Sequence, residues 1–200
     1  MPYLRSLPME VAMHPDTLVA YEMNGEELPI EHGYPLRLVV PGWYGMASVK
    51  WLSGIKVIDY EFEGFFQTER YVIENDDGVW EQIKEMSIKS LISSPDAGEV
   101  LANKSTCVAG MAWSGSAQIK NVEFSSDGGQ TWEQATLTGP SERYAWQQWH
   151  MTWTPSASGH YTLACRATDQ LGNVQPTKTR WNAGGYVVNG VRPVCVTVVA

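Results

Sequence analysis

Polar and apolar residues alternate along several short segments in the second half of this chain. Alternation with a period of two is typical of a β-strand with one buried and one solvated face. We predict strands at Thr106–Trp113, Ile119–Ser125, Trp146–Trp153 and Gly159–Ala167, with a hairpin turn at Asp127-Gly128-Gly129. Short strands at regular spacing, separated by turn residues, predict an immunoglobulin-like β-sandwich.

The first half of the chain has shorter apolar segments and strong turn signals. Leu36–Val40 is typical of a buried strand, and Pro41-Gly42 ends it. A new element is predicted at Leu18–Met23, and Asn24-Gly25 predicts a tight turn after it, in the pattern of a hairpin, because both turn residues tolerate positive φ angles. Another strand, with a glycine break, is predicted at Val49–Ile58.

The character of the chain changes near residue 86. Regular alternation begins with Ser87–Ile92, after a first part that is richer in turns and aromatic clusters. We therefore place a domain boundary near Glu85, which divides the chain into residues 1–85 and 86–200.

Composition narrows the class of protein. The 18 glycines and 11 prolines favour strands and turns over long helices, and a formal net charge of −8 argues against a nucleic-acid partner. No apolar run approaches the roughly 18 residues that a membrane span needs. The N-terminal residues lack the apolar core of a signal peptide, so we expect no export address in the chain as given, and the compartment is left open.

The loop Gly45-Met46-Ala47-Ser48 follows the first apolar strand closely. Glycine and small residues let a backbone approach a ligand. His32 and Arg37 precede this loop and Lys50 follows it, so three potential cations flank one backbone cradle. This pattern suits an anion, with a planar fork from Arg37 and a point charge from Lys50. A strand, a turn and solvated cations are the alternative interpretation.

The run NGEELPIEHGYPLRLVVPGWYGMASVKWL resembles the molybdopterin-binding domain of the sulfite oxidase family. The resemblance implies a molybdenum–molybdopterin cofactor, with binding that is incomplete if this chain carries only part of the domain. It also implies that His32, Arg37, Ser48, Val49 and Lys50 contact the pyranopterin and its terminal phosphate.

Tyr71 falls at the spacing of the active-site tyrosine of that family, so the resemblance implies a catalytic role for it. A phenol can donate a hydrogen bond to a substrate oxyanion. Tyr60 is the nearest rival, and an aromatic lid on the core is the alternative for the whole segment.

The runs MAWSGSAQIKNVEFSSDGGQTW and RATDQLGNVQP resemble the C-terminal dimerisation domain of the same family. The implied fold is mainly β: part of an α+β cofactor domain, then an immunoglobulin-like (E-set) sandwich. The implied partners are a second copy of the chain and, for a full-length parent, an electron-transfer protein. Neither a nucleic acid nor a membrane is expected as a partner.

Two departures from the family pattern bear on function. The family's molybdenum-ligating cysteine lies early in its cofactor domain, whereas no cysteine precedes Cys107 here. The chain is therefore either part of an oxygen-atom-transferring oxidoreductase, completed elsewhere, or a non-catalytic dimerisation module or inactive paralogue. Sulfite-oxidising members also have an arginine after a Trp-Asn pair, where this chain has Gly184, with Arg180 and Arg192 nearby. We therefore doubt sulfite as the substrate.

The cysteines and the remaining histidines show no metal-binding pattern. Cys107, Cys165 and Cys195 lie among apolar or small residues and are expected to be buried thiols, with a Cys107–Cys165 bridge as an open alternative. His14, His150 and His160 are expected to be surface or packing residues, so we predict no metal held by protein side chains alone.

Overall fold

A computed structural model of the chain describes residues 2–200. The chain divides into two compact units. The first comprises the residues up to Met86 together with Asn182–Tyr186, and the second comprises Ser87–Trp181 and Val187–Ala200. The first unit is therefore discontinuous along the chain.

Short elements joined by turns build the first unit. Its strands are β1 (Leu18–Ala20), β2 (Glu22–Met23), β3 (Glu26–Glu27), β4 (Arg37–Val39), β5 (Val72–Glu74) and β6 (Trp80–Gln82). Its helical segments are α1 (Met9–Ala12), α2 (Phe65–Thr68) and two 3₁₀ turns at Ile30–His32 and Gly45–Ala47. The strands pair antiparallel as β1–β4, β2–β3 and β5–β6.

Two sequence-based predictions for this unit are confirmed. Asn24 and Gly25 join β2 to β3 with φ angles of 56° and 84°, as the tight turn requires. The apolar segment before Pro41 forms the strand β4, although its three residues are partly buried rather than buried, and Gly42 has a φ angle of 78° where the strand has ended.

The strand predicted at Val49–Ile58 is wrong, because the structure assigns no strand there. The start of this segment does run beside β4: Leu38 N–H donates to the Val49 carbonyl at 2.8 Å, and Leu52 N–H donates to the Leu36 carbonyl at 2.8 Å. Trp51, between them, has a φ angle of 52°, which is incompatible with an extended strand.

The second unit is a sandwich of two sheets. Its strands are β7 (Lys89–Ser94), β8 (Val100–Ala102), β9 (Thr106–Trp113), β10 (Ile119–Ser125), β11 (Glu133–Gln134), β12 (Thr136–Thr138), β13 (Gln147–Trp153), β14 (Gly159–Asp169) and β15 (Val194–Val199). One sheet has the order β11-β10-β14-β15-β8 and the other β12-β13-β9-β7. Strands β8 and β15 are parallel, and the remaining neighbours are antiparallel.

The core of this unit lies between the two sheets. Val108 and Trp149 come from the four-stranded sheet, and Phe124, Leu163 and Val196 come from the five-stranded sheet; all are at most 2% exposed. The predicted alternation is visible along β9, where buried residues are separated by partly buried ones. The fold is mainly β, as the sequence predicted, with an immunoglobulin-like sandwich in its second half.

The expectation of three buried thiols is wrong for two of them. Cys107 and Cys195 are exposed, whereas Cys165 is buried, and all three are free, so the alternative Cys107–Cys165 bridge is not formed. Cys165 faces the core from β14 together with Leu163 and Ala167, which lie two residues before and after it on the same strand face. No helix formed by residues 2–200 is long and apolar enough to span a bilayer.

Candidate functional site

Three side chains donate to consecutive carbonyls of the first 3₁₀ turn. Trp51 Nε1 donates to the Ile30 carbonyl at 3.1 Å, and Lys50 Nζ donates to the Glu31 carbonyl at 2.8 Å. Arg37 Nη1 donates to the His32 carbonyl at 3.1 Å. Carbonyls at the end of a short helical turn lack partners within the turn and attract cations. This local chemistry brings Arg37 and Lys50 to the same turn.

Gly33, directly after that turn, fixes how closely the two cations pack. Its φ angle is 112°, in the left-handed region that favours glycine. A β-carbon at Gly33 would lie 3.1 Å from the Cβ atoms of both Arg37 and Lys50. The two cationic residues are therefore neighbours on either side of one bare backbone position.

Only some of the N–H donors of the Arg37 guanidinium form hydrogen bonds within the chain. Nη1 contacts the His32 carbonyl, and Nη2 lies 3.5 Å from the Ser48 carbonyl. Its Nε is buried and has no hydrogen-bond partner. A guanidinium offers five N–H donors, and a buried donor without an acceptor costs about 1–3 kcal/mol. Arg37 thus retains donor capacity for an anionic ligand.

The other predicted cofactor residues lie in the same cluster, but their polar atoms are differently placed. Ser48 Oγ accepts from the Val40 N–H at 3.1 Å. The N–H groups of Ser48 and Val49 donate to the carbonyls of Gly45 and Ala47, both at 3.1 Å, so these two amides serve the second 3₁₀ turn. The His32 side chain is exposed, as is that of Lys50, whose Nζ lies 4.8 Å from the Trp51 ring centroid.

Tyr71 belongs to a second cluster in the first unit. It has a φ angle of 54°, which is uncommon for a bulky residue and is often found at functional sites. Its carbonyl accepts from Ile83 N–H at 2.8 Å, and its ring centroid lies 5.5 Å from that of Tyr186. Tyr60, its sequence rival, is 60% exposed. Among residues 2–200, no described hydrogen bond or ring contact joins Tyr71 to Arg37 or Lys50.

Sequence reasoning missed two residues beside Tyr71. The Arg5 guanidinium carbon lies 5.9 Å from the Tyr71 ring centroid, and burial lowers the pKa of Arg5. Tyr3 Oη donates to the Met46 carbonyl at 2.8 Å, and burial raises the pKa of Tyr3. The N-terminal segment shows no apolar period, so no pattern in the sequence pointed to either residue.

The Arg37 cluster suits a ligand that carries a negatively charged group. The buried unpaired Nε of Arg37 and the Gly33 position between two cations fit an anionic group. Within residues 2–200, no group of three or more histidine, cysteine or acidic side chains could hold a metal ion. The residues present therefore fit a phosphate group, which Arg37 and Lys50 would hold.

Two family models match the chain. Residues 1–66 match the oxidoreductase molybdopterin binding domain, and residues 80–198 match the Mo-co oxidoreductase dimerisation domain. The second match alone covers more than half of the chain.

Relatives of the chain support the same grouping. Mitochondrial sulfite oxidase of Mus musculus is 35% identical over 98% of this chain and 39% of its own length. Inducible nitrate reductase [NADH] 1 of Glycine max is 32% identical over 94% of this chain and 24% of its own length. The chain thus spans about two fifths or less of these relatives.

A solved structure resembles the chain over nearly its whole length. The sulfane dehydrogenase SoxCD of Paracoccus pantotrophus superposes with a TM-score of 0.81 and 34% identity, covering 94% of this chain and 50% of that one. Together with the family models, this similarity shows that the chain belongs to the sulfite oxidase family of molybdopterin oxidoreductases.

Proposed function

We propose that the first unit binds molybdopterin in a molybdenum oxidoreductase of the sulfite oxidase type, and that His32, Arg37, Ser48, Val49 and Lys50 contact it. The observation that carries this proposal has two parts. The Nε of Arg37 is buried and has no hydrogen-bond partner, and Arg37 and Lys50 both pack against Gly33. When bound, the molybdenum centre supplies oxygen-atom transfer and passes electrons to a second carrier.

The residues of the chain bind and position in this proposal. Arg37 binds the terminal phosphate with its planar fork, and Lys50 adds a point charge. Ser48 and Val49 shape the loop through their main-chain hydrogen bonds. The exposed His32 directly precedes Gly33 and contacts the cofactor from there. Tyr71 places a phenol hydroxyl, which both donates and accepts hydrogen bonds, against the substrate.

Loss of the phosphate-binding cation should empty the site. In protein produced from the longest natural reading frame that contains this chain, we expect Arg37→Ala to lower molybdenum and pterin content at least tenfold. This estimate follows from the 1.5–3 kcal/mol of a charge-assisted hydrogen bond. Arg143→Ala, at an exposed position in the second unit, is the matched control and should keep both contents.

Metal analysis and fluorescence of the oxidised pterin are the measurements. A denaturant curve for each variant separates loss of cofactor from loss of fold, because Arg37 also contacts the His32 carbonyl. Undiminished molybdenum in folded Arg37→Ala would refute the assignment.

The sandwich is proposed to join two copies of the chain, since it matches the dimerisation domain of the family. Sedimentation at micromolar concentration should give a dimer, and a strict monomer would contradict this proposal. An electron-transfer protein is the proposed second partner of the full-length parent.

A non-catalytic dimerisation module is the second candidate function. It is favoured by the extent of the match to the dimerisation domain, which covers residues 80–198 and thus more than half of the chain. Molybdenum and pterin copurifying with the natural reading frame would exclude this alternative, and their complete absence under molybdenum-replete growth would favour it.

A further inference from the structure

The Tyr186 ring packs against Gly184, the position at which the family pattern has an arginine. A β-carbon at Gly184 would lie 2.5 Å from Cε2 of Tyr186, so a larger residue there requires the ring to move. Asn182 holds Tyr186 in place by reciprocal bonds: Tyr186 N–H donates to Asn182 Oδ1 at 2.9 Å, and Asn182 Nδ2 donates to the Tyr186 carbonyl at 2.7 Å.

Arg5 supplies a guanidinium to the same cluster from a distant part of the sequence. Its Cζ lies 5.9 Å from the ring centroid of Tyr71, within the range of a cation–π contact. Arg5 belongs to the first unit, as do Tyr71 and Gly184.

The segment that carries Arg5 is anchored on the helical turn before Tyr71. Arg5 Nη1 donates to the Phe66 carbonyl, and Ser6 N–H donates to Gln67 Oε1 at 2.8 Å. Gln67 Nε2 donates back to Ser6 Oγ at 2.6 Å, and the Gln67 side chain is buried. These bonds hold the guanidinium in place rather than leaving it on a solvated tail.

The Arg5 guanidinium lacks a hydrogen-bond partner for one of its N–H groups and has no described counter-charge. Its Nε is buried without a hydrogen-bond partner, and among residues 2–200 no carboxylate is described within ion-pair distance of it. A desolvated cation without a counter-charge is costly, and an anion that enters beside it removes part of that cost. A partly buried guanidinium of this kind would be stabilised by a negatively charged ligand.

We propose that Arg5 is a substrate-binding residue that, together with Tyr71, recognises a small oxyanion in place of the arginine absent at Gly184. Because Arg5 Nη1 already donates to the Phe66 carbonyl, the edge formed by Nε and Nη2 is the one that matches two oxygens of such an anion, and the Tyr71 hydroxyl donates to a third. This inference rests on the proposed function, because it places substrate beside Tyr71.

Sulfate is a suitable inorganic probe for this site. Calorimetric titration of the protein from the natural reading frame should show sulfate affinity falling at least tenfold in Arg5→Gln and less steeply in Arg5→Lys, which keeps the charge but loses the fork. Arg143→Gln removes the same charge at an exposed position and should bind sulfate as the unmodified protein does. Molybdenum and pterin contents should be equal in all four proteins.

The Arg37 cluster could also take sulfate, so the titration is repeated in an Arg37→Ala background. The loss caused by Arg5→Gln should persist there. Unchanged sulfate affinity in Arg5→Gln would overturn the inference, and so would loss of the cofactor in that variant, which would make Arg5 a structural residue. Retention of molybdenum by Arg37→Ala, in contrast, refutes only the cofactor contacts.

A measurement on the unmodified protein covers the case in which Arg5→Gln fails to fold. Phenylglyoxal modification of Arg5, followed by peptide mass spectrometry, should slow severalfold when sulfate is present. Modification of Arg143 should not change. Equal rates for Arg5 with and without sulfate would overturn the inference.

Discussion

Gln175 Oε1 accepts a hydrogen bond from the hydroxyl of Ser90 at 2.6 Å, and the Gln175 side chain is fully buried inside the sandwich. The same oxygen accepts from the backbone N–H of Ser90 at 2.9 Å and from that of Ala167 at 3.2 Å. One amide thus ties β7 to β14, which belong to different sheets.

Removal of this amide should destabilise the sandwich. Gln175→Met keeps the volume but leaves buried donors on Ser90 and Ala167 without this acceptor, so we expect the free energy of unfolding to fall by about 2–4 kcal/mol. Denaturant unfolding measures it. Gln134→Met, at an exposed position, is the control and should change stability by less than about 0.5 kcal/mol. If Gln175→Met also changes the free energy of unfolding by less than about 0.5 kcal/mol, the expectation is wrong.

Gly33→Ala tests how closely Arg37 and Lys50 pack at the 3₁₀ turn. The added methyl group meets both Cβ atoms at 3.1 Å, and the φ angle of 112° disfavours any side chain. We expect the free energy of unfolding to fall by about 1–3 kcal/mol, with lower molybdenum content. At Gly25 the φ angle is 84° and a β-carbon meets nothing within 4 Å, so Gly25→Ala is the matched control. Equal stability of the two variants would show that the packing of Arg37 and Lys50 against Gly33 is not tight.

Asp127 should make the sandwich sensitive to acid. The Thr131 hydroxyl donates to Oδ2 at 2.6 Å, and the Thr131 N–H also donates to the carboxylate. These bonds, with others from the Ser125 hydroxyl and the Gln130 N–H, hold the pKa of Asp127 well below its usual range. The unfolded chain then binds a proton more readily than the folded chain. The stabilisation is therefore complete above the unfolded pKa of about 4 and is lost as the pH falls below it.

Urea midpoints measured from pH 7 to pH 3 check this pH dependence. Asp127→Asn should be less stable at pH 7 and should lose less stability on acidification. Asp59→Asn, at an exposed position in the first unit, is the control and should keep the slope of the unmodified protein. Identical slopes for Asp127→Asn and the unmodified protein would contradict the role of Asp127.

The three thiols should fall into two reactivity classes. Burial raises the pKa of Cys165 to about 12, so very little thiolate exists near pH 8, whereas Cys107 and Cys195 are exposed. Ellman's reagent should titrate two thiols in the folded protein and three in urea. Cys165→Ser should leave the folded count at two, and a rapid third thiol in the folded protein would refute the assignment.

The local pattern of polar and apolar residues predicted most strands of the sandwich but few elements of the first unit. The bounds predicted for Thr106–Trp113 and Ile119–Ser125 are those observed, because one mainly buried face produces a recognisable alternation and the small residues Ser114 and Ser126 follow the two strands. In the segment after Lys50, Ile55 and Val57 are 73% and 75% exposed, so their apolar character did not indicate a buried strand face.

The candidate site shows the same division between local and long-range information. Arg37 and Lys50 could be grouped from the sequence because a turn and a short loop separate them. Arg5 contacts Phe66, and nothing in the intervening sequence encodes that pairing as a pattern. Contacts between irregular segments depend on the folded shape of the whole unit, which periodicity does not report.

The discontinuity of the first unit affects how the protein can be divided or recombined. A gene fragment that ends at Met86 would encode this unit without the loop that supplies Tyr186, the aromatic neighbour of Tyr71. Grafting the sandwich onto another protein would likewise separate the Tyr186 loop from Tyr71. Natural exchange of the two halves is therefore constrained, since five residues encoded within the sandwich must match the unit that they complete.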